Sequence, residues 1–190
     1  IHRLCKFPPS WIVDSDIQRD PKSLAKHAKI LVIDEVSMVN ANLLDSVNKF
    51  FQLNRENKKP FGGISVVMVG DLFQLPPIVT EATRELFKSL YESPKFFSAE
   101  ALTQSEFYAV ELTKAFRQVD QEFVDLLAKI REGRDLTTAI KKLNSTCKIT
   151  DSPSPGTITL SPRHADIERV NNERLMRLPG DVKVFNGLLS

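Results

Sequence analysis

Two adjacent acidic residues, Asp34 and Glu35, directly follow a run of four apolar residues. Three residues of that run, Ile30, Val32 and Ile33, are β-branched, which is typical of a strand buried on both faces by helices. Acids at the carboxyl end of such a strand lie in the crevice where open α/β sheets bind ligands. The pattern therefore predicts a site for Mg²⁺ and a reactive water at this acid pair, although the same residues could simply end a strand and begin a turn.

A second apolar run, residues 64–69, also ends in a polar segment, GDLFQLPP at residues 70–77. Within it Gln74 carries an amide that can both donate and accept hydrogen bonds. Two strand ends with polar residues predict one shared site at one edge of the sheet.

The segment between the two strands predicts the helix that positions them. Asn40 is a typical N-cap, and the apolar residues after it fall on one helical face: Leu43, Leu44, Val47, Phe50 and Phe51. Strand, helix and strand in this order form a βαβ unit, in which the two strands are parallel and the crossover is right-handed.

Other patterns predict the elements around this unit. Before residue 114 we expect a short helix or a loop near residues 1–7, a short helix over 22–28 with Asp20 as its N-cap and Pro21 after it, a helix over 82–91 and a strand over 107–112. After it we expect a helix capped by Asp120 and ended by Gly133 that buries Phe123, Leu126, Leu127 and Ile130, then a helix over 135–143, a strand over 157–160 and a helix opened by Ser161 and Pro162.

Composition limits the class of protein. The 190 residues are 42% hydrophobic, which is enough for a core, and a net charge of +2 does not by itself indicate nucleic-acid binding. Cys5 and Cys147 form neither a disulfide framework nor a metal-ligand spacing, so we expect two inert thiols in a reducing compartment.

No apolar run reaches the roughly 18 residues that a membrane span requires, and residues 1–7 lack a secretion signal. We therefore expect a cytoplasmic protein with no membrane partner, or one located wherever its DNA lies, and the start at Ile1 suggests an excised piece of a longer chain.

Three strings together resemble the motifs of superfamily 1 DNA helicases of the Pif-type and RecD-like branch. LVIDEVSMV at residues 31–39 resembles a Walker B segment, residues 70–77 resemble the third motif, and LTKAFRQ at residues 112–118 resembles the fourth. The opening IHRL at residues 1–4 is similar to a segment that follows motif Ia in that family. The resemblance implies an α/β fold: an incomplete RecA-like P-loop NTPase lobe with a parallel sheet over residues 1–114, followed by the start of a second RecA-like lobe over residues 115–190.

The resemblance also implies an ATP-dependent helicase that moves 5′ to 3′ on single-stranded DNA and acts in DNA repair, recombination and telomere maintenance. ATP and Mg²⁺ are the implied cofactors. Asp34 would hold the metal through its water shell and Glu35 would accept a proton from the attacking water. Gln74 would contact the γ-phosphate and orient that water, and Arg117 would act as an arginine finger in cis.

Single-stranded DNA is the implied partner, gripped through its backbone and by base stacking. The candidate contacts are His2, Phe61, Phe73 and Pro76. An aromatic residue is more often part of a core than of a DNA-binding surface, so burial is the competing interpretation for both phenylalanines.

The sequence departs from the family in one respect that bears on activity. The phosphate-binding string Gly-x-x-x-x-Gly-Lys-Ser/Thr does not occur in the 190 residues, so we expect this chain by itself to bind ATP weakly and not to unwind DNA. Two alternatives stay open. One is a metal-dependent nuclease in which Asp34, Glu35 and Asp71 share metal ions, and the other is a non-catalytic scaffold derived from a helicase lobe.

Overall fold

A computed structural model of the chain describes residues 1–114, 116, 120–146, 156–181, 183 and 185. Within these residues there are two strands, β1 (Ile30–Ile33) and β2 (Ser65–Met68). The helices are α1 (His2–Cys5), α2 (Ala41–Arg55), α3 (Glu81–Leu90), α4 (Glu100–Thr103), α5 (Gln121–Arg131), α6 (Leu136–Thr146) and α7 (His164–Leu175). The chain forms two compact units, Ile1–Leu136 and Thr137–Ser190, and the first contains both strands.

Strands β1 and β2 pair in parallel, with Ile30 opposite Ser65 and Ile33 opposite Met68. The predicted βαβ unit is therefore confirmed, with α2 as its helix. The prediction that β1 is buried on both faces is wrong: Ile33 is 2% exposed, but Ile30 and Val32 are 60% and 61% exposed. Alternate side chains of a strand point to opposite faces, and no element among the described residues covers the second face.

Helix α2 supplies the centre of the core, as its apolar stripe predicts. The Asn40 side chain caps it by accepting a hydrogen bond from the Leu43 N–H at 2.8 Å. All five apolar residues of the predicted stripe are buried. Phe50 packs edge to face on Phe7 and Phe51, with ring centroids 5.9 and 6.0 Å away. Such geometry adds to the stabilisation that burial of the rings gives.

The polar residues of α2 hold the surrounding loops, and we call α2 together with the loops that it holds the α2 hub. The Asn42 side chain both accepts from the N–H and donates to the carbonyl of Ile12, at 3.0 and 2.9 Å. Asn48 accepts from the Phe61 N–H at 2.6 Å, and Asn54 accepts from the Asp20 N–H at 2.7 Å. These amides satisfy loop backbone groups that would otherwise be buried without partners.

Arg55 is the last residue of α2, and its guanidinium donates to four backbone carbonyls. Its Nε donates to the Gly62 carbonyl at 3.0 Å. Its Nη1 donates to the carbonyls of Ala25, Lys26 and Ala28 at 2.8, 3.1 and 2.9 Å. One side chain therefore joins α2 to the chain that leads into β1 and to the turn before β2.

The short helix predicted over residues 22–28 is a single 3-10 turn at Leu24–Lys26. Its cap is Ser23, whose hydroxyl accepts from the Ala25 N–H at 3.2 Å. The carboxylate of Asp20, the predicted cap, pairs with Lys6 at 2.8 Å and accepts from the Lys22 N–H at 3.0 Å, just before the turn. The hydrogen bond from Lys6 lowers the pKa of the Asp20 carboxyl.

Asp45 joins α2 to the segment after α3. Its carboxylate accepts from the Tyr91 hydroxyl at 3.0 Å and from the backbone N–H groups of Glu100 and Ala101 at 3.1 and 2.8 Å. It thereby satisfies amides at the start of α4. Burial and the nearby Asp45 charge raise the pKa of the Tyr91 hydroxyl. Burial likewise raises the pKa of the Cys5 thiol to about 12, in agreement with an inert thiol, whereas Cys147 lies outside the described residues.

Several predictions for the remaining segments are confirmed. Helices α1, α3, α6 and α7 lie where the patterns place them, and the Asp120 carboxylate caps α5 by accepting from the Phe123 N–H at 3.1 Å. Gly133 follows α5 in the left-handed region, with φ of 69°. Among the described residues, no helix has the length and apolar character needed to cross a membrane.

Three expectations for these segments are wrong. Residues 107–112 and 157–160 form no strand, and no side chain on the predicted inner face of α5 is buried. An alternating pattern becomes a strand only when another strand pairs with it, and in the part of the chain that the structure describes β1 and β2 pair only with each other. The predicted lobe boundary after residue 114 stays a prediction.

Candidate functional site

The carboxyl ends of β1 and β2 lie side by side. The Val69 N–H donates to the Ile33 carbonyl at 2.9 Å, and the Val36 N–H donates to the Val69 carbonyl at 3.0 Å. The pairing thus continues past both strands into the segments that carry the predicted acids and glutamine. We call these segments, residues 34–38 and 70–77, the strand-end rim.

Glu35 stands in a strained backbone position on this rim. Its φ and ψ are 52° and 42°, in the left-handed region that side chains other than glycine rarely adopt. The Asp34 carboxylate accepts a hydrogen bond from the Glu35 N–H at 2.9 Å, which supports this turn. The chain then enters a 3-10 turn at Val36–Met38 that is buried on its inner side. Strain of this kind is frequent at functional sites.

Gly70 brings the two parts of the rim into direct contact. A Cβ atom at this position would lie 2.9 Å from Val36 Cγ1, 3.0 Å from the Val36 nitrogen and 3.2 Å from the Ser37 nitrogen. Any larger residue would push the 70–77 segment away from the acid pair. This glycine was not among the predicted site residues, although its place directly after a strand is a signal of close backbone approach.

Asp71 shapes the rest of the 70–77 segment. Its carboxylate accepts from the Phe73 N–H at 3.0 Å, and its backbone carbonyl accepts from the Gln74 N–H at 3.0 Å. This is the turn geometry in which an aspartate satisfies the backbone two residues ahead. The turn directs the segment back toward β1.

The rim borders an open cavity of about 560 Å³ lined by Glu35, Met38, Phe73, Gln74, Leu75 and Pro76. The predicted base and the predicted phosphate-contacting amide therefore line one cavity, as expected for one shared site. Within the described part of the chain, neither the Glu35 carboxylate nor the Gln74 amide has a hydrogen-bond partner. Both side chains are exposed and free to bind a ligand.

Asp34 is also exposed and borders this site, next to the residues that line the cavity. One of its oxygens accepts from the backbone, which leaves carboxylate capacity for a hydrated Mg²⁺. The residues present thus fit a hydrated magnesium ion and a phosphate tail. They do not fit the nuclease alternative, because among the described residues there is no cluster of three or more metal-ligating side chains.

Arg131 is a residue of this region that sequence analysis missed. It reaches the rim from the end of α5, where its Nη2 lies 3.4 Å from an Asp71 carboxylate oxygen. Its guanidinium carbon stands 4.9 Å from the centre of the Phe73 ring. No local pattern reports such a contact, because Arg131 is far from Asp71 in the sequence.

The four predicted DNA contacts differ in their exposure. Phe73 is 62% exposed and Pro76 is also exposed, both on the rim. His2 is exposed beside a different cavity, of about 610 Å³, that also includes Trp11. Phe61 is only 3% exposed and its N–H binds Asn48, so it is a core residue and not a DNA contact. Arg117 lies outside the described residues.

Comparison with known proteins places these features in a family. A family model described as PIF1-like helicase matches residues 12–141. The chain is 34% identical over 174 residues to the ATP-dependent DNA helicase RRM3 of Saccharomyces cerevisiae, which covers 90% of the chain and 23% of that protein. It is 34% identical over 160 residues to the human ATP-dependent DNA helicase PIF1, covering 83% of the chain and 24% of that protein. The chain thus spans about a quarter of the length of these relatives.

Solved structures give the same assignment of the fold. Bacteroides Pif1 bound to single-stranded DNA superposes with a TM-score of 0.81 at 34% identity, over 92% of this chain and 42% of that one. Bacteroides Pif1 in complex with ADP-AlF3 and single-stranded DNA gives a TM-score of 0.82 at 32% identity, over 95% of this chain and 44% of that one. The predicted fold class, an α/β RecA-like lobe with a parallel sheet, is confirmed.

Proposed function

The chain belongs to the PIF1-like helicase family, and we propose that it is the part of an ATP-dependent DNA helicase that carries the acid pair and the phosphate-sensing glutamine. The parent protein would move 5′ to 3′ along single-stranded DNA and unwind duplexes. The observation that carries the proposal is the cavity in which Glu35 and Gln74 meet at the ends of two parallel strands, both without partners among the described residues.

Each rim residue has a task in this proposal. Asp34 holds a hydrated Mg²⁺, which when bound neutralises charge on the β- and γ-phosphates. Glu35 accepts the proton of the attacking water, and its fixed turn keeps the carboxylate on the cavity side of the rim. Gln74 donates to a phosphate oxygen and accepts from that water, so its position depends on the nucleotide state.

Arg117, in the motif that follows residue 111, supplies a planar cationic fork to the γ-phosphate as an arginine finger in cis. Exposed Phe73 and Pro76 offer surfaces for bases of single-stranded DNA, and His2 offers a polar contact at a separate position. The Bacteroides relatives are described as bound to single-stranded DNA, which supports this partner. Roles in DNA repair, recombination and telomere maintenance, and a nuclear or nucleoid location, remain predictions for the whole protein.

The test is DNA-stimulated ATP hydrolysis by the longest natural polypeptide that carries this sequence. Glu35→Gln should abolish turnover while leaving nucleotide binding in place, and Gln74→Ala should reduce turnover strongly. Glu56→Gln is the matched control, because Glu56 is an exposed glutamate that pairs with Arg19 away from the rim. Full turnover by Glu35→Gln would refute the assignment.

The 190-residue chain by itself should hydrolyse ATP at background rate, because it contains no phosphate-binding string. A robust rate that Glu35→Gln removes would show that this expectation is wrong. An inactive full polypeptide that still binds DNA would favour the scaffold alternative.

A further inference from the structure

Arg131 makes two contacts with one short segment of the rim. Its guanidinium lies 3.4 Å from the carboxylate of Asp71 and 4.9 Å from the centre of the Phe73 ring. The same Asp71 carboxylate oxygen accepts the Phe73 N–H at 3.0 Å. Arg131 therefore acts on the aspartate that shapes the turn and also on the aromatic ring that the turn presents.

An ion pair of this kind contributes little to folding by itself. The Arg131 side chain is 50% exposed and that of Asp71 is 26% exposed, so solvent screens the attraction. The contact between Arg131 and Phe73 is not part of the core either, because Phe73 is 62% exposed even with the guanidinium over its ring. What the contact does is restrict where the ring can point.

A restricted aromatic ring is a better platform for a nucleobase than a mobile one. Binding then costs less conformational entropy, since the ring no longer has to be ordered when the base arrives. Stacking of a base on an aromatic ring is sequence-tolerant, as a protein that moves along DNA requires. Phe73 is 62% exposed with the guanidinium in place, so part of its surface is accessible to such a base.

We propose that Arg131 is a positioning residue for single-stranded DNA binding: it holds Asp71 and the Phe73 ring from α5 so that the ring presents its free surface to a base. The proposal rests on the proposed function, which supplies the DNA. It adds a residue on a helix that follows the fourth motif. The same contact ties α5 to the segment that carries Gln74.

The experiment uses the longest natural polypeptide that carries this sequence and a fluorescently labelled oligothymidylate, with dissociation constants from anisotropy at two salt concentrations. The variants are Arg131→Ala, Phe73→Ala and the double variant, with Arg131→Lys as the conservative change. Lys129→Ala is the matched control, because Lys129 is a cation on the same helix whose partner is Asp135, at 3.7 Å, and not the rim.

Arg131→Ala should weaken binding about three- to tenfold, a range set by the strength of cation–π and stacking contacts. It should have no further effect once Phe73 is alanine, because it acts through that ring. Arg131→Lys should recover part of the affinity, and Lys129→Ala should change binding only slightly.

Two results of the binding cycle would overturn the proposal. An equal loss with and without Phe73, together with a reduced salt slope, would make Arg131 a simple phosphate contact. Tighter binding by Arg131→Ala would mean that Arg131 masks the ring.

Amide hydrogen exchange without DNA separates this proposal from the proposed function. Arg131→Ala should accelerate exchange of the Phe73 and Gln74 amides, which donate to Asp71, whereas Lys129→Ala should not. The two variants should have equal thermal unfolding midpoints, so that the difference in exchange is local. If the wild-type polypeptide does not bind the oligothymidylate, DNA binding at the rim is refuted, and with it the role of Arg131 in presenting a base. Unchanged exchange in Arg131→Ala would refute the positioning role itself.

Discussion

The α2 hub and the strand-end rim use the same kinds of residue for opposite purposes. In the hub, Phe50 is buried against two rings and Arg55 donates to four backbone carbonyls. On the rim, Phe73 is exposed, and the carboxylate and amide that line its cavity have no partner among the described residues. Satisfied polar groups stabilise a fold, whereas unsatisfied ones are available to a ligand. The hub therefore holds the strand ends in place, whereas the rim leaves the Glu35 carboxylate and the Gln74 amide available to a ligand.

The largest expected difference concerns the same substitution in the two regions. Phe50→Ala should lower the free energy of unfolding by about 3–5 kcal/mol, because it removes a fully buried ring. Phe73→Ala should change it by about 0.5 kcal/mol or less, as for an exposed residue. Urea denaturation followed by circular dichroism measures both. Similar losses for the two variants would show that the rim is packed as tightly as the hub.

A second pair compares two arginines. Arg55→Ala should cost about 3 kcal/mol, because it leaves several part-buried carbonyls without a charged donor. Arg131→Ala should cost about 1 kcal/mol or less, since its ion pair is solvent-exposed. Thermal and urea unfolding of the two variants give the comparison. A larger loss for Arg131→Ala would place α5 within the hub.

A third pair concerns two glutamates with left-handed backbones, Glu35 and Glu56, whose φ values are 52° and 53°. Replacement of either by glycine should stabilise the fold by about 1 kcal/mol, because glycine adopts this conformation without the Cβ penalty. Only Glu35→Gly should abolish DNA-stimulated ATP hydrolysis by the full polypeptide. Unfolding and turnover assays on the same two variants separate strain from function. Loss of turnover in both variants would contradict a role specific to Glu35.

The smallest effect is a pH dependence of the hub. The pKa values of Tyr91 and Cys5 are raised in the folded state, so the folded chain binds these protons more tightly than the unfolded chain. Their contribution to stability is complete below about pH 9 and is lost as the pH rises above the unfolded values of about 9 to 10. Tyr91→Phe should cost about 1 kcal/mol at pH 7, from the hydrogen bond to Asp45. Unfolding at pH 7 to 11 should show a shallower alkaline decline in Tyr91→Phe than in wild type, and an unchanged decline would exclude Tyr91 as its source.

The sequence predicts features that depend on local periodicity. The Asn40 cap, the apolar stripe of α2 and the position of Asp34 and Glu35 after a strand all follow from residues within a few turns of each other. The meeting of Glu35 and Gln74 also follows, because parallel strands of one βαβ unit end at the same edge.

Features that depend on distant partners were missed or predicted wrongly. Residues 107–112 alternate like a strand but have no strand to pair with among the described residues. Phe61 lies next to glycines, but it is buried, and its N–H donates to the Asn48 side chain. Arg131 reaches Phe73 from a helix far along the chain. In each case the deciding contact is set by the tertiary fold.

The close approach at Gly70 sets the spacing between the two segments of the rim. Gly70 does not have a positive φ, so glycine is needed there for space and not for its backbone conformation. A methyl group at this position would lie 2.9 Å from Val36 Cγ1. A side chain at position 70 would therefore move the segment that carries Gln74 away from the turn of Glu35. The spacing between the acid and the amide that line the cavity thus depends on a residue that has no side chain.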